Sequence, residues 1–277
     1  MPSISAYIPC YNNASTLARV IKSIQEQTYP VKDFFIIDDG STDDSAAIAR
    51  ALGVRVISHA QNLGRGAARA RAMVEANYEF VLCCDGTKIL DCNFVENALP
   101  WFEEEQVAAV FGSLIQPIPQ TVAERWRGRH LFQYFSSYST VRSSCFASFG
   151  AMVRKSSILD AGNYNNLLHH NEDGELGQRL LSLGYNIISD SNLLITEIDS
   201  DTVAQILERY WRWKRWNGGK GNKLCCKTYC QWIIDSITHM TVKDFQSGDF
   251  LSIPISLFAP HYRFWRSWCA KDRFLIH

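Results

Sequence analysis

The residues of this chain best equipped for chemistry are carboxylates gathered at three places. The first is IIDDGSTDD, residues 36–44, where an apolar run stops at Asp38 and Asp39. A turn followed by a helix cap accounts for Gly40, Ser41 and Asp43. It does not account for two adjacent carboxylates at the end of a strand, and Asp39 is the candidate ligand residue. The second is VLCCDGTKILD, residues 81–91, with Asp85 after another apolar run. A hard cation that bridges a diphosphate needs only one or two protein carboxylates, so Asp85 alone could hold one, although a lone Asp after a strand is also an ordinary turn residue. The third is HHNEDGELGQRL, residues 169–180, with Glu172 and Asp173 at the start of a helix. Acids in a first helical turn are favoured by the helix dipole. The density of His169, His170, Glu172, Asp173 and Glu175 exceeds that need, and a general base for an attacking hydroxyl requires such a carboxylate. Against these acids stands RYWRWKRWNGGKGNK, residues 209–223, which offers Arg209, Arg212, Lys214, Arg215 and Lys220. Fixed cations of this kind stabilise charge growing on a leaving phosphate. The interleaved Trp211, Trp213 and Trp216 fit equally a core or a membrane-interface belt, and helical spacing cannot bring all the cations to one face.

The elements that carry these residues follow a pattern: the N-terminal half alternates strand and helix. Ile4 to Ile8 reads as a strand, and Asn12 or Asn13 can cap a helix bearing Leu17, Val20, Ile21 and Ile24 at helical spacing. Strands are expected at Phe34–Ile37, Val54–Ile57, Phe80–Cys84 and Val107–Phe111, with helices between them, one of them from about Gly64 to Ala76. This βαβα order implies a mostly parallel sheet with right-handed crossovers, and ligands of such sheets bind outside the carboxyl ends of the strands. Asp39 and Asp85 fall at those ends. From about Gln120 the pattern changes: an Arg- and aromatic-rich helix to Thr140, a strand at Ala147–Val153, a helix at Leu176–Leu183, and a basic aromatic helix from Gln205 to Trp216 closed by Gly218-Gly219.

Composition narrows the partners. Formal net charge is zero over 277 residues, which argues against nucleic acid. The balance is uneven, with 12 Lys/Arg against 5 Asp/Glu from Gln205 onward. That segment either meets phosphates or an anionic membrane surface, or is simply a solvated face. The nine cysteines follow no metal or disulfide framework, and reduced thiols fit a cytoplasmic setting. The start MPSISAYIPC lacks the basic and apolar regions of a signal peptide, and no apolar run is long enough for a membrane span.

Five stretches, taken in order, resemble the family 2 glycosyltransferases of GT-A fold: YIPCYN at 7–12, IIDDGSTDDS at 36–45, NLGRGAARARA at 62–72, the acidic turn around Asp85, and NEDGELGQRL at 171–180. The resemblance implies an α/β, Rossmann-like, mostly parallel sheet flanked by helices over residues 1–200. Residues 201–277 would form a basic, Trp-rich helical extension, acting as a donor flap or a membrane-surface contact. It implies that Pro9, Tyr11 and Asp39 line the base pocket, that Arg65 lies near the base or phosphates, and that Asp85 holds Mn²⁺ or Mg²⁺ as the last acid of a DxD motif. Asp173, beside Glu172, would be the base of an inverting transfer from a nucleotide-diphosphate sugar, expected to be UDP-linked, to a glycan, lipid-linked or small-molecule acceptor. Arg212 and Arg215 would meet the diphosphate. The protein would be cytoplasmic, with peripheral contact at the inner face of the membrane. The chain departs from the family pattern at Cys83, where the first acid of DxD is common, and at Gly86, where a further Asp is often seen. That departure keeps a second reading in view, a catalytically weak sugar-nucleotide-binding or scaffold protein. A nucleotidyltransferase, which would carry a Gly-rich basic loop near the N-terminus, fits YIPCYNN poorly.

Overall fold

A computed structural model describes residues 2–115, 119–132, 141–142, 145–215 and 225–271. The chain forms two compact units, Met1–Ile115 with Ser137–Asp199, and Gln116–Ser136 with Ser200–His277.

The first unit is a nine-stranded sheet with helices. Its strands are β1 (Ile4–Cys10), β2 (Asp33–Asp38), β3 (Arg55–Ser58), β4 (Phe80–Cys84), β5 (Lys88–Leu90), β6 (Val107–Ile115), β7 (Val141–Arg142), β8 (Gly150–Arg154) and β9 (Asn186–Glu197). They lie in the order β3-β2-β1-β4-β8-β6-β9-β5, with β7 paired to β9. The helices between them are α1 (Leu17–Gln25), α2 (Ser45–Ala51), α3 (Arg65–Glu75) and α4 (Phe94–Ala98). β1 is buried along its whole length, as a strand covered on both faces must be. Its parallel registers with β2 and β4 bring Cys10 opposite Asp38 and Tyr7 opposite Cys83. The carboxyl ends of β1, β2 and β4 therefore share one edge.

The parallel half of the sheet follows the sequence expectation. Beyond β4 the sheet is mixed, because β8 runs antiparallel to both β4 and β6 while β9 is parallel to β6. β9 is the element the sequence hides. Its polar stretch Ser189–Asn192 breaks the apolar pattern, and the register against β6 shifts there, between Gly112 and Ser113. A side chain on Gly112 would meet the Leu193 carbonyl at 2.2 Å, so only glycine lets the two strands pair across this irregularity. Trp101 donates to Asp190 Oδ2 at 2.8 Å, which satisfies one of the buried acid's oxygens. One core cluster gathers Tyr7, Phe35, Ile37, Met73, Cys83, Phe146, Leu176 and Leu180, every one of them buried. Each large member stabilises the unit by about 1.5–3 kcal/mol.

The second unit is helical in its described residues. In chain order α5 (Val122–Arg127) belongs to it, α6 (Lys155–Asp160) and α7 (Glu172–Ser182) to the first unit, and α8 (Val203–Arg215), α9 (Cys226–Asp235), α10 (Thr241–Gln246) and α11 (Ile253–Lys271) again to the second. α5 opens on a capping box between Thr121 and Glu124 and continues as a π-helical turn, Gly128–Phe132. The helix expected to run on to Thr140, and the Gly218-Gly219 stop expected after α8, extend outside the described residues. Trp126, Ile206, Leu207, Tyr210, Ile255 and Ala259 form this unit's core.

Candidate active site

The loops after β1 and β2 are laced together. Asn12 adopts a left-handed backbone, its N–H donates to Ser41 Oγ at 3.0 Å, and its side-chain oxygen accepts from the Thr42 N–H at 2.8 Å. Asn13 N–H donates to Ser45 Oγ, and Ala14 N–H to Asp43 Oδ2, both at 2.9 Å. Pro9 is buried within β1, and Tyr11 follows it with its ring exposed. Asp38 is structural: it accepts from the Ser41 N–H and the Ser58 hydroxyl. Asp39 binds the loop before α3, accepting from Leu63 N–H at 2.9 Å and Gly64 N–H at 2.8 Å, with His59 Nδ1 at 2.7 Å. That loop comes close only because Gly64, at φ +93°, has no side chain: a Cβ there would lie 2.5 Å from His169 Nδ1.

At the centre of the unit lies a group that the sequence reading passed over, the guanidinium of Arg69. It is buried on the inward, small-residue face of α3, with Gly66, Ala68, Ala72 and Met73. Its Nη2 donates to Asp85 Oδ1 at 2.5 Å, its Nε to Glu172 Oε1 at 3.1 Å, and its Nη1 to the Tyr7 hydroxyl at 3.3 Å and the Ser148 carbonyl at 3.1 Å. The sequence signal was an arginine within the alanine stripe of NLGRGAARARA. An inward Arg needs buried carboxylates, and these come from residues 85 and 172.

Arg69 ties the acidic turn after β4 to the start of α7. Asp85 is anchored by its own N–H to the Phe149 carbonyl and keeps about a fifth of its side chain accessible, at 20%. Burial pushes its carboxyl up, but Arg69, then Arg65 and Lys88, outweigh burial and hold it below the usual carboxylate value. Glu172 is fully enclosed. Burial pushes its carboxyl up, Arg65 and Arg69 pull against that, and Asp173 pushes the same way, so its pKa is raised overall. Its Oε2 is buried without a hydrogen-bond partner. Arg65, half of it accessible, approaches the other oxygen at 3.5 Å. Asp173 is half-buried, and its Oδ2 accepts from the Ser148 N–H at 3.2 Å and hydroxyl at 3.4 Å. Ser148 thus touches both Arg69, through its carbonyl, and Asp173.

Cys83 does not stand at the sheet edge. Its thiol is fully buried in the core cluster, and burial pushes it up to about 11. The Cys83 side chain lies inside, beside the Tyr7 and Tyr164 hydroxyls and near Arg69, so the solvent-facing part of the acidic turn begins at Asp85. A side chain on Gly86 would meet Asn13 Oδ1 at 2.6 Å, and Thr16 donates to the Gly86 carbonyl at 2.7 Å. The small residue there is what lets the turn close against the β1 loop.

Five of the sequence candidates therefore share one edge region of the first unit: Asp39, Arg65, Asp85, Glu172 and Asp173, with Tyr11 exposed on the first loop. Arg212 lies in α8 of the second unit, half-buried, and the Arg215 side chain lies outside the described residues. Among the described residues no group of three or more His, Cys, Asp or Glu could enclose a metal by itself. Asp85 fits a cation shared with phosphates. Arg69 occupies Oδ1, the carboxyl stays ionised, and part of the side chain faces solvent.

A parallel-then-mixed sheet with an acid after β4 and a carboxylate at the start of α7 is the architecture of the GT-A fold. A Pyrobaculum calidifontis mannosyltransferase, PcManGT, solved in complex with GDP-Man and Mn²⁺, superposes with a TM-score of 0.61 at 16% identity, over 97% of this chain and 76% of that one. S. aureus TarS 1-349 gives 0.57 at 16% identity, over 95% of this chain and 88% of that one. The chain belongs to glycosyl transferase family 2, whose sequence profile matches residues 5–163, more than half of its length. It is 33% identical over 117 residues to glycosyltransferase GlyG of Streptococcus pneumoniae, covering 40% of this chain and 38% of that protein. It is 32% identical over 122 residues to the hyaluronan synthase of Streptococcus pyogenes, covering 40% of this chain and 29% of that protein. The match thus spans well under half the length of these relatives.

Proposed function

We propose that this protein is an inverting glycosyltransferase that moves a sugar from a nucleotide-diphosphate donor, UDP-linked, to an acceptor hydroxyl. The observation that carries the reading is the path Asp85–Arg69–Ser148–Asp173, which joins a partly exposed anionic turn to a half-exposed carboxylate inside the family-matched fold. Pro9, Tyr11 and Asp39 would line the base pocket, and Arg65 would lie near the base or the phosphates. In the transfer, the acceptor oxygen bonds to the anomeric carbon as the bond from that carbon to the diphosphate oxygen breaks. The hydroxyl proton passes to an Asp173 carboxylate oxygen, and the nucleoside diphosphate leaves with the electron pair. Ser148 holds Asp173 in place for this step. Glu172, enclosed and paired with Arg69, would assist by positioning the start of α7 and Asp173 beside it. Mn²⁺ or Mg²⁺, held by Asp85 together with the donor phosphates, would supply charge neutralisation at the leaving group.

The proposal extends to Arg212 and Arg215 as further cations for the diphosphate, and to a division of labour in which residues 1–200 bind and react while 201–277 cover the donor or meet a membrane. It places the protein in the cytoplasm, peripherally at the inner face of the membrane, acting on a glycan, lipid-linked or small-molecule acceptor. The free thiols and the basic, aromatic second unit support that location. The second reading, a catalytically weak sugar-nucleotide-binding or scaffold protein, rests on Cys83, whose side chain is buried, and donor binding without turnover on any acceptor would favour it.

The test is a thermal-shift screen of UDP- and GDP-sugars with Mn²⁺, followed by transfer assays with the donor that binds. One donor is expected to raise Tm by mass action. Asp173→Asn is expected to keep that shift and to lose transfer by roughly 10²–10⁴-fold, the usual worth of a general base. Undiminished transfer by Asp173→Asn would remove Asp173 from the mechanism.

A further inference from the structure

Helix α11 carries apolar residues on two faces. A helix on a globular protein buries one apolar stripe and shows polar residues to water. In α11 Ile255 and Ala259 enter the core of the second unit, and several polar residues turn inward beside them. Ser256 is fully buried and donates to Asp244 Oδ2. Arg263 is buried over the Trp232 ring, 3.7 Å from its centroid, and donates to the Lys214 carbonyl. Arg266 makes a two-pronged pair with Glu208 at 2.7 and 2.8 Å, and Ser267 accepts from Trp211 Nε1. What faces out is Leu257 at 44% exposure, Phe258 at 53%, Trp265 at 56% and Trp268 at 60%. His261 completes this face at helical spacing, and exposed Phe250 and Leu251 lead into it. Between Ile253 and Ala270 the only charged residues are the two inward-bound arginines. Bare aromatics at this density, with one cation near them, Arg266 at 5.9 Å from the Trp265 ring centroid, are costly in water and call for a cover.

We propose that the outward face of α11, from Leu257 to Trp268, docks on an anionic lipid bilayer, with Phe258, Trp265 and Trp268 entering the boundary between headgroups and acyl chains. This deepens the membrane contact named above and is independent of which donor the first unit binds. Tryptophan and phenylalanine on one helix face are the side chains suited to that boundary. The charge is complementary: the segment from Gln205 onward carries 12 Lys/Arg against 5 Asp/Glu, and Lys214, Lys227 and Lys243 are exposed. A second copy of the chain would instead set two positively charged units against each other. No described helix is long and apolar enough to cross a membrane, so the contact is lateral.

The experiment uses the full chain and vesicles of phosphatidylcholine with or without phosphatidylglycerol, without donor. Co-sedimentation with the anionic vesicles is expected, weaker at high salt, with a blue shift of tryptophan emission. The double variant Phe258→Glu/Trp265→Glu is expected to lower vesicle partitioning at least about ten-fold while donor-induced thermal shift is unchanged. Phe258→Ser provides a milder change should the double variant fail to fold, and is expected to weaken partitioning in the same direction. Three results would overturn the proposal: no association of the parent chain with anionic vesicles, equal partitioning of parent and folded variants, or a concentration-dependent dimer that the substitutions dissolve. Because vesicle binding and donor binding are read separately, failure of one leaves the other standing.

Discussion

Each unit of this protein buries a cluster of arginines and carboxylates, and the two clusters are finished differently. In the second unit Asp249 accepts from Arg125 at 2.9 and 3.1 Å, from Arg129 at 2.6 Å and from Ser252 at 2.7 Å. Asp244 accepts from Arg129 and Ser256 and pairs with His130. Every carboxylate oxygen there has a partner, and both acids are enclosed. In the first unit Arg69 serves Asp85 and Glu172 together, yet Glu172 Oε2 is unpartnered and Asp85 reaches solvent at the sheet edge. A closed network of this kind fixes structure. The network of the first unit stays open at Asp85, which is partly exposed at the sheet edge where ligands of α/β sheets bind.

Arg69 gives the sharpest way to break that contrast. Arg69→Met strands two carboxylates, which costs about 3–5 kcal/mol for a broken buried pair, and transfer should fall with the fold. Arg69→Lys keeps the charge, but one ammonium cannot span Asp85, Glu172, Tyr7 and Ser148. It should retain most of the stability and still lose at least about ten-fold in kcat, as much as one misplaced catalytic group costs. A Lys variant with full kcat would reduce Arg69 to packing. The matching change in the second unit is Asp249→Asn. It should cost about 3–5 kcal/mol in a denaturant melt, because it leaves Arg125 and Arg129 short of their acceptor, while transfer per folded molecule stays as in the parent. A specific loss of turnover in that variant would mean that the second cluster is not purely structural.

The smallest effect is read from pH. Burial pushes the Asp249 carboxyl up, but Arg125, Arg129 and Ser252 overcome it, so its folded pKa lies below its unfolded value. Its contribution is present above the usual carboxylate range, about pH 4, and is lost as pH falls below that. Glu172 has the opposite sign, with a folded pKa above its unfolded value. Its contribution is complete below about pH 4 and is lost as pH rises through the folded pKa. Glu172→Gln should therefore gain Tm relative to the parent as pH rises from 4 toward neutrality. A Tm difference that stays constant with pH would show that Glu172 titrates normally.

Much of the first unit is legible in its sequence. The strands expected at 4–8, 34–37 and 80–84 were readable because apolar runs stop at Pro9, Asp38 and Asp85, and β1, β2 and β4 follow those runs within two residues. β9 was not readable, since its pairing depends on a shift against β6 and on a glycine in another strand. Asp39, Asp85, Glu172 and Asp173 stood out as acids at strand ends and at a helix start, but their types did not separate them. Glu172 and Asp173 are adjacent in sequence, and one is sealed inside while the other faces partly outward.

The sequence by itself determined which residues could carry charge, which segments would be strands or helices, and at which strand ends the acids would gather, because these follow from residue type and short-range periodicity. Only the tertiary structure decided that Cys83 lies in the core, that Arg69 joins acids on either side of it, and that α11 turns its aromatics to solvent. Arg69 and Glu172 stand 103 positions apart in the chain. Burial and pairing across such a separation are set by how the sheet and helices pack, a long-range outcome that no local pattern of residues encodes.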